Sequence, residues 1–475
     1  MEIILLVLQV AVLLGAIFLG IRLGGMAIGY AGGFGVVVLC LVLGMKPGDI
    51  PWDVILIIMS VIAAIAAMQL AGGLDYMVQV AEKILRKNPK YINYLAPTVT
   101  YFLTFLAGTG HTAFSMIPVI VEVAKEQNIK PSAPLSIAVV ASQIAITASP
   151  VSAAVVYMSG ALEPFGWSYP TLLLVWLITT FSACMLTALV VSKFFPLDLS
   201  KDPVYQERLK AGLVKPSMGA QHIELKKGAK LSVAIFLIGV LCVVIYATSI
   251  SDVVRKPFLD ILNGVIVSNN GQGLMAGIAE FMRGYIDPVR LPRDGAIMAF
   301  MLAIATCIAI FCKVETGKLL EASTFKAGMT ACVCVLGVAW LGNTFVAGYK
   351  KEIGDLASNL VGDYPALLAV ALFFASMLLY SQAATAKAIM PVVIGALGIT
   401  AATPESSYIL VASFAAVSAL FVLPTYPTLL GAVQMDDTGS TRIGKYVFNH
   451  SFIVPGTLAI IFAVILGFAV APIFA

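Results

Sequence analysis

Charged side chains are scarce in this sequence. Asp, Glu, Lys and Arg make up 11% of its 475 residues, whereas 60% of the residues are hydrophobic and the mean hydropathy is +0.98. A soluble domain has about 25% charged residues, so a soluble globular protein is excluded. Apolar runs recur along the chain with about the 20-residue length of a helix that crosses a bilayer. Because these runs do not alternate between apolar and polar residues, they predict helices and not the strands of a β-barrel.

Motifs for metals, cofactors and catalysis are also lacking. The seven cysteines lie almost entirely in apolar runs without the spacing of a zinc site, and Cys332 and Cys334 fall on different faces of a helix. We interpret them as small hydrophobic side chains. No nucleophile or cofactor motif indicates an enzyme, and the net charge of +4 is too small to indicate a nucleic-acid partner. The sequence therefore predicts no cofactor, no bound metal and no nucleic acid.

Eight apolar segments have the length of single membrane spans. The first lacks the basic region and cleavage site of a signal peptide, so it is predicted to be a span. The second contains six glycines between residues 24 and 35. Because no strand precedes them, they favour close helix packing over a dinucleotide-binding loop. The eight segments are 3–20, 26–45, 53–72, 170–192, 231–250, 295–312, 327–347 and 451–472.

Four other segments contain residues that interrupt a helix. In the first half, residues 92–124 break at AGTG (107–110), and residues 134–158 break at TASP (147–150). In the second half, residues 365–399 break at YSQ (380–382), and residues 408–435 break at LPTYP (423–427). Glycine and proline end or open a helix at such positions.

The basic residues predict which loops face the cytoplasm. Loops 73–91 and 193–230 are rich in Lys and Arg, so both are predicted to be cytoplasmic. An even number of crossings must separate them, so we expect 92–124 to enter the membrane and return as a hairpin. The same argument in the second half makes 365–399 a hairpin that opens to the periplasm. Both termini are then predicted to be periplasmic.

The two halves match in the spacing of their prolines. Pro150 follows Pro118 by 32 residues, and Pro424 follows Pro391 by 33 residues. With hairpins that open to opposite sides, this pattern predicts an all-α polytopic membrane protein with the inverted repeats of a secondary transporter. Its predicted features are two re-entrant hairpins and two broken helices.

This organisation divides the chain into three parts. Residues 1–195 form the first repeat, 196–230 form a cytoplasmic basic loop, and 231–475 form the second repeat. Residues 251–294, with five acidic and five basic side chains, are predicted to be a periplasmic, partly amphipathic insertion.

Acidic side chains are missing from the interior of the predicted spans and hairpins. The ionisable residues found there are His111 and Lys387, one in each hairpin. Ionisable groups within a membrane are costly and usually functional. A site with neutral or cationic donors and no carboxylate favours an anionic substrate. Interrupted helices add backbone N–H groups and the positive ends of helix dipoles.

The four breaks therefore predict a substrate site built from both halves. Each half could hold one carboxylate, which suits a short dicarboxylate. We expect Ser149 and Thr425, which lie beside prolines, to matter most for affinity. The predicted substrate-binding residues are Thr109, Gly110, His111, Thr112, Thr147, Ser149, Pro150, Ser152, Ser381, Gln382, Thr385, Lys387, Thr425, Tyr426 and Thr428.

Structural roles compete with these assignments. Ser and Thr hydroxyls in membrane helices often donate to the carbonyl four residues earlier. His111 can be a packed, hydrogen-bonded residue, and Lys387 can extend towards the membrane interface.

Polar residues near two span ends have alternative interpretations as well. Asn343 and Thr344 either contribute polar groups to the site or simply end a span. Asp436 and Asp437 are predicted to form an ion-paired cytoplasmic cap with Arg442, with a gate as an alternative role.

Several motifs resemble one known family. They are AGTG (107–110), QIAITASPVS (143–152), STFKAGMTACVCVLGVAW (323–340), YSQAATAK (380–387) and the most specific, LPTYPTLLGAVQMDDTGSTRIGKYVFN (423–449). Over nearly its whole length the chain is similar to the anaerobic C4-dicarboxylate transporter (Dcu) family.

The resemblance implies an antiporter of the bacterial inner membrane that takes up fumarate, malate or aspartate and releases succinate during anaerobic respiration. Kinship with the ion-transporter superfamily further implies an elevator-type motion and a homodimer. Small dicarboxylates and membrane lipid are the expected partners. Some family members act as co-sensors, so a membrane histidine kinase is a further candidate partner. A dicarboxylate co-sensor without transport and an anion channel are the alternative functions.

Overall fold

The computed structural model describes residues 2–23, 26–215, 224–269, 271–353, 355, 361, 364–424, 426–446 and 448–475. These residues form helices and loops, with three isolated β-bridges and no β-sheet among them. Seven of the described helical segments are long and apolar enough to cross a membrane, and four shorter apolar helices accompany them. The prediction of an all-α polytopic membrane protein is confirmed.

The helices of the first half are α1 (Glu2–Leu23), α2 (Ala27–Val37), α3 (Trp52–Leu70), α4 (Gly73–Lys87), α5 (Ile92–Ala107), α6 (Ile117–Glu126), α7 (Ser132–Ile144), α8 (Ala153–Leu162), α9 (Tyr169–Phe194) and α10 (Pro203–Lys210). Those of the second half are α11 (Ala229–Ser249), α12 (Asp252–Ser268), α13 (Leu274–Ile286), α14 (Arg293–Phe311), α15 (Ser323–Cys334), α16 (Trp340–Gly348), α17 (Leu367–Leu379), α18 (Gln382–Ala396), α19 (Tyr408–Ser413), α20 (Pro427–Met435) and α21 (Ile453–Val470). Short 3-10 segments (Gly110–Ser115, Ala145–Ala148, Phe414–Phe421) and π segments (Val38–Val42, Val335–Ala339) lie between or extend them.

Helix α7 lies at the centre of the molecule. Every residue from Ala133 to Ile144 is buried, whereas about a third of α11 and of α14 is buried within the protein. Alanine and serine in α7 let neighbouring helices approach closely. The large apolar side chains that α11 and α14 leave exposed, such as Ile238 and Leu302, suit contact with lipid.

Close helix packing explains the glycines of the second span. A Cβ on Gly29 would lie 2.3 Å from the Val333 carbonyl oxygen, and a Cβ on Gly337 would lie 1.8 Å from the Gly29 carbonyl oxygen. The backbones of α2 and of the 335–339 π segment therefore touch directly. The interpretation of these glycines as a packing surface is confirmed for Gly29, Gly32 and Gly35; a Cβ on Gly33 would meet open space, and Gly24 and Gly25 lie outside the described residues.

The basic loops meet at one end of the helix bundle, which we call the basic end. Lys226 Nζ donates to the Leu70 carbonyl (2.8 Å), so the loop before α11 contacts the loop after α3. Asn93 Nδ2 donates to Ser192 Oγ (3.1 Å), so α5 begins where α9 ends.

Both ends of the 92–126 segment lie at the basic end. Arg86, in the last turn of α4, pairs with Glu126, the last residue of α6 (2.6 Å). Two residues later, Asn128 Nδ2 donates to Asp198 Oδ1 (2.9 Å), just beyond α9. The chain that leaves this end in α5 thus returns to it in α6.

The opposite end carries the loops between α8 and α9, between α11 and α14, and between α18 and α19. There Arg293 pairs with Glu163 (3.1 Å), and Trp167 Nε1 donates to Ser407 Oγ (2.8 Å). The insertion 251–294 consists mainly of the helical pair α12 and α13, which share a small core of Leu262, Ala279 and Ile286. Its polar residues connect it to the first half, because Glu163 accepts from Asp252 N.

The predicted ion-paired cap is only partly correct. Asp437 pairs with Lys125 (3.2 Å) and not with Arg442. Asp436 is buried and forms no ion pair with any described residue; its carboxylate accepts hydrogen bonds from the backbone and side chain of Thr438 and from its neighbours. The acidic pair therefore stabilises a hydrogen-bonded turn and fastens it to α6.

Asn343 and Thr344 have a structural role at the opposite end. Asn343 Nδ2 donates to the Asp49 carbonyl (2.9 Å), and Thr344 Oγ1 accepts from Gly48 N (3.2 Å). These bonds hold the loop between α2 and α3 against α16.

Candidate functional site

The connections α5–α6 and α17–α18 share a backbone conformation at their tips. Gly108 and Tyr380 end the preceding helices in the left-handed region, with φ of +70° and +59°. The next residues, Thr109 and Ser381, are extended. Two tips that are 272 positions apart thus turn in the same way, at the positions where the sequence predicts breaks.

Each tip residue also caps the helical segment that follows it. Thr109 Oγ1 accepts from His111 N (3.4 Å), and Ser381 Oγ accepts from Ala384 N (3.3 Å). Capping of this kind satisfies one of the four N–H groups that a helix start leaves without an internal partner.

The other two predicted breaks are interruptions as well. After the 3-10 segment 145–148, the chain is extended at Ser149 and at Ser152, where α8 begins. Ser152 Oγ accepts from Val155 N (3.2 Å) and donates to the Ile146 carbonyl (2.7 Å). In the second half the α-helix ends earlier than expected, at Ser413, because residues 414–421 are 3-10 helix with a kink at Ala419.

Tyr426 is the residue immediately before α20. It is extended, and the next residue, Pro427, occupies the first helical position, where its missing N–H costs nothing. Thr425 lies outside the described residues.

All four cap residues line one internal cavity of about 80 Å³, between α3 and α15. Thr109 and Ser152 come from the first half, and Ser381 and Tyr426 come from the second. The remaining wall is mainly apolar, with Ile57 of α3 among its side chains. The folded chain thus brings the starts of four helical segments to one point near its centre.

The side chains around this cavity carry no formal charge except where His111 is protonated. Among the described residues that line it there is no Asp, Glu, Lys or Arg. The starts of α8, α18, α20 and the 110–115 segment present N–H groups and positive dipole ends. Such a setting stabilises a negative group and offers a cation no carboxylate ligand.

His111 connects the two halves of the site. Its ring stacks between Phe114, with centroids 6.2 Å apart, and Tyr426, with centroids 6.1 Å apart, and both pairs are nearly parallel. The ring lines the cavity, and its Nδ1 is buried with no hydrogen-bond partner among the described residues. His111 is therefore a packed residue and a candidate ligand at once.

Several predicted residues are buried around the cavity without lining it. Ser149 Oγ accepts from Val151 N (3.4 Å), Thr147 Oγ1 donates to the Ile144 carbonyl (2.7 Å), and Thr385 Oγ1 donates to the Ser381 carbonyl (2.7 Å). These hydroxyls stabilise the breaks, which is the structural role that sequence reasoning left open. Gly110, Thr112, Pro150 and Thr428 are also buried beside the cavity and outside its wall.

Lys387, a predicted site residue, lies outside the central cavity. It is five residues beyond Gln382 on α18, so the helix carries it about 7 Å from the cavity. There it pairs with Asp53 in the first turn of α3, and its Nζ lies 5.5 Å from the centre of the Tyr157 ring. The expectation that Lys387 joins the central site is not met, because an acidic partner 334 positions away holds it nearer the opposite end.

Sequence reasoning missed Gln143. Its backbone carbonyl accepts from Gln382 Nε2 (3.2 Å) and Ser418 Oγ (3.4 Å), so the two halves meet there. Both polar atoms of its side chain are buried without a partner among the described residues. An amide inside an apolar, interrupted segment is the signal that could have identified it.

Comparison with known proteins places the chain in a family. A family model described as anaerobic C4-dicarboxylate membrane transporter matches residues 5–475. The chain belongs to this family. The C4-dicarboxylate transporter DcuA of Wolinella succinogenes is 62% identical over 469 residues, covering 99% of this chain and 100% of that protein.

Two further relatives extend the similarity. The C4-dicarboxylate transporter DcuA of Helicobacter pylori strain J99 is 61% identical over 465 residues, and that of Escherichia coli K12 is 53% identical over 464 residues. Each alignment covers 98% of both chains. Membership of this family identifies a membrane transport protein and not an enzyme.

Proposed function

We propose that this transporter exchanges C4-dicarboxylates across the bacterial inner membrane, taking up fumarate, malate or aspartate and releasing succinate by antiport. The observation that supports this most strongly is the meeting of four helical N-termini, two from each half, at one cavity whose described lining residues include no Asp or Glu. The names of the relatives support the same substrate class.

The dianion is held at both ends. The first-turn N–H groups of Ala153 and Ala154 in α8 face it from one half, and those of Gln382 and Ala383 in α18 face it from the other. A negative group at a helix N-terminus gains about 0.3–1 kcal/mol where exposed and up to about 2 kcal/mol where partly buried. Two such ends favour two carboxylates over one, and this selects a dicarboxylate.

The basic end faces the cytoplasm in this proposal, and both termini face the periplasm. Segments 92–124 and 365–399 are re-entrant hairpins, and 134–158 and 408–435 are broken helices, in two inverted repeats, 1–195 and 231–475. The return of α6 to the start of α5, through Arg86 and Glu126, supports the first hairpin. The shared conformation of Gly108 and Tyr380 supports the pairing of the two repeats.

Transport follows an elevator-type motion. The hairpins and broken helices move as one unit with the bound dianion, past α3 and α15. Side chains of these two helices form the apolar wall of the cavity. A homodimer would anchor these wall helices in the membrane. No covalent chemistry is involved, because the site offers only hydrogen bonds and dipoles.

The proposal is tested by counterflow of labelled succinate into proteoliposomes loaded with fumarate. The variants are Ser152→Ala and Ser381→Ala, which each remove a cap at the cavity, and each is expected to weaken apparent affinity about fivefold, the equivalent of about 1 kcal/mol. The matched control is Ser136→Ala. Its hydroxyl is buried on α7 and bonds only the Ala133 carbonyl (3.1 Å), away from the cavity.

Wild-type affinity in both cap variants would reject the site. The same assay separates the alternative functions. A co-sensor that only presents dicarboxylates to a membrane histidine kinase would bind succinate and show no counterflow above empty liposomes. An anion channel would pass succinate without any dicarboxylate on the far side.

A further inference from the structure

Two larger cavities lie between the central cavity and the opposite end. One has a volume of about 400 Å³ and is lined by Lys387, Lys350 and Asp53 among others. The second has a volume of about 620 Å³ and contains Arg293. Both include Asp53, Tyr157 and Pro391 in their walls, so the two cavities are adjacent, and we call them together the vestibule.

The vestibule borders the central cavity. Ile57 and Ala153 line the 620 Å³ cavity and the central cavity alike. Ala153 is the first residue of α8, whose N-terminus faces the proposed dianion. Asp53 and Tyr157 therefore lie between the opposite end and the helix N-termini.

Lys387 lies at the junction of three helices beside this route. It extends from α18 to pair with Asp53 on α3, with its Nζ above the ring of Tyr157 on α8. The N-termini of α8 and α18 are two of the four that lie at the central cavity. The ion pair thus joins both of them to α3, about 7 Å from the dianion site.

We propose that Lys387, Asp53 and Tyr157 form an outer subsite for a dicarboxylate. One carboxylate of the incoming dianion displaces Asp53 from Lys387, and the dianion is bound there before it enters the central cavity. This inference rests on the proposed function and its orientation, in which the vestibule opens to the periplasm. It assigns Lys387 to substrate capture at a second site.

The displacement exchanges one carboxylate on Lys387 for another. The side chains of Lys387 and Asp53 are 24% and 38% exposed, so the ion pair is partly open to an incoming solute. After release, Asp53 is still stabilised by its position in the first turn of α3.

The exchange also selects for a second charge. A monocarboxylate only replaces one carboxylate on Lys387 by another, so it gains little. A dicarboxylate brings a second carboxylate towards the positive N-termini of α8 and α18 and gains that interaction as well. Asp53 thus acts as an internal competitor that a monoanion does not overcome.

Succinate exchange is measured from each side separately, in right-side-out and inside-out membrane vesicles. Lys387→Gln is expected to raise the half-saturating succinate concentration about tenfold on the periplasmic side, since it removes a charge-assisted bond, and less than about twofold on the cytoplasmic side. Asp53→Asn is expected to lower the periplasmic value and to make exchange sensitive to butyrate, a C4 monocarboxylate, because Lys387 is then without its competitor.

Lys350→Gln is the matched control. It removes one positive charge from the same 400 Å³ cavity, and Lys350 has no ion-pair partner among the described residues. Its effect on either side is expected to stay below about twofold. The double variant Asp53→Asn/Lys387→Gln keeps a neutral pair that can fold, and its periplasmic value should match that of Lys387→Gln.

The outcomes separate the two proposals. An active wild type in which Lys387→Gln acts equally from both sides, or no more strongly than Lys350→Gln, would overturn the outer subsite and leave the proposed function intact. A wild type without exchange would overturn the proposed function itself. Butyrate inhibition of Asp53→Asn but not of wild type would support the competitor role of Asp53.

Discussion

The tips of the two helical pairs have the same backbone and different side chains. At the left-handed position the first tip has Gly108 and the second has Tyr380. The first tip packs backbone against backbone, since a Cβ on Gly108 would lie 2.8 Å from Val151 Cγ2 and 3.2 Å from the Val151 backbone. The second tip turns a large ring towards Tyr426, with centroids 5.4 Å apart.

The difference shows how each tip is held in place. A left-handed conformation costs an L-residue about 1–2 kcal/mol, and glycine avoids that cost. At Tyr380 the contact with Tyr426 offsets the strain, since aromatic pairs contribute about 0.5–1.5 kcal/mol beyond their burial. The first tip is therefore fixed by close approach to the broken helix, and the second by an aromatic contact.

The largest effect is expected at Gly108. Gly108→Ala introduces both left-handed strain and overlap with Val151, so succinate exchange should fall by at least about tenfold, the equivalent of about 1.4 kcal/mol. Gly166→Ala is the control, because Gly166 has a φ of +88° and open space around its Cβ position. Gly166→Ala therefore introduces left-handed backbone strain without any steric overlap. Equal losses in the two variants would show that contact with Val151 is unimportant.

The next effect is expected at His111, whose counterpart position in the second tip has no imidazole. His111→Phe keeps a ring between Phe114 and Tyr426 and removes the hydrogen-bonding nitrogens. The half-saturating succinate concentration should rise about tenfold, within the range of a lost hydrogen bond to a charged group. His111→Asn keeps polar atoms without the ring and separates the two roles. Unchanged affinity in His111→Phe would make His111 a packing residue only.

A smaller difference in succinate affinity is expected between variants of the two tip caps, Ser381 and Thr109. Ser381 begins the 15-residue helix α18, whereas Thr109 begins a 3-10 segment of six residues. The longer helix has the fuller dipole at its start, so Ser381→Ala should weaken succinate affinity about fivefold and Thr109→Ala about twofold. Binding titrations with succinate on purified protein measure both affinities. A larger loss of affinity in Thr109→Ala than in Ser381→Ala would contradict this prediction.

The smallest effect concerns stability alone. Tyr380→Gly and Tyr380→Ala both remove the ring, and only the alanine variant keeps the left-handed strain. The glycine variant should be more stable by about 1 kcal/mol, seen as a higher midpoint of thermal unfolding in detergent. Equal midpoints would mean that the backbone relaxes out of the left-handed region once the ring is gone.

The sequence was sufficient to locate all four breaks. Glycine, proline and small hydroxyl residues interrupt helices for local reasons, so AGTG (107–110) and TASP (147–150) indicate their own conformations. The early end of α19 was not predictable, because Phe414–Phe421 is an apolar run without a helix breaker. Its 3-10 conformation depends on packing against neighbouring helices.

The sequence predicts that breaks from both halves meet, and the structure brings described residues of all four to one cavity; the anion site itself stays a prediction. A lack of interior acidic groups and the presence of paired breaks predicted an anion site from both halves. The positions of Lys387 and Ser149 relative to the cavity did not follow from these patterns, for two different reasons. Lys387 is fixed by Asp53, which lies 334 positions away, and Ser149 is turned from the cavity by the local geometry around Pro150.

The most direct test is protection of single cysteines by substrate. Ala153→Cys and Ala383→Cys place thiols at the starts of α8 and α18, in a chain whose seven native cysteines are replaced. If one dianion bridges the two halves, succinate should slow the reaction of both thiols with a small charged reagent at the same half-effective concentration. Protection of only one thiol, or of neither, would contradict a site shared by both halves.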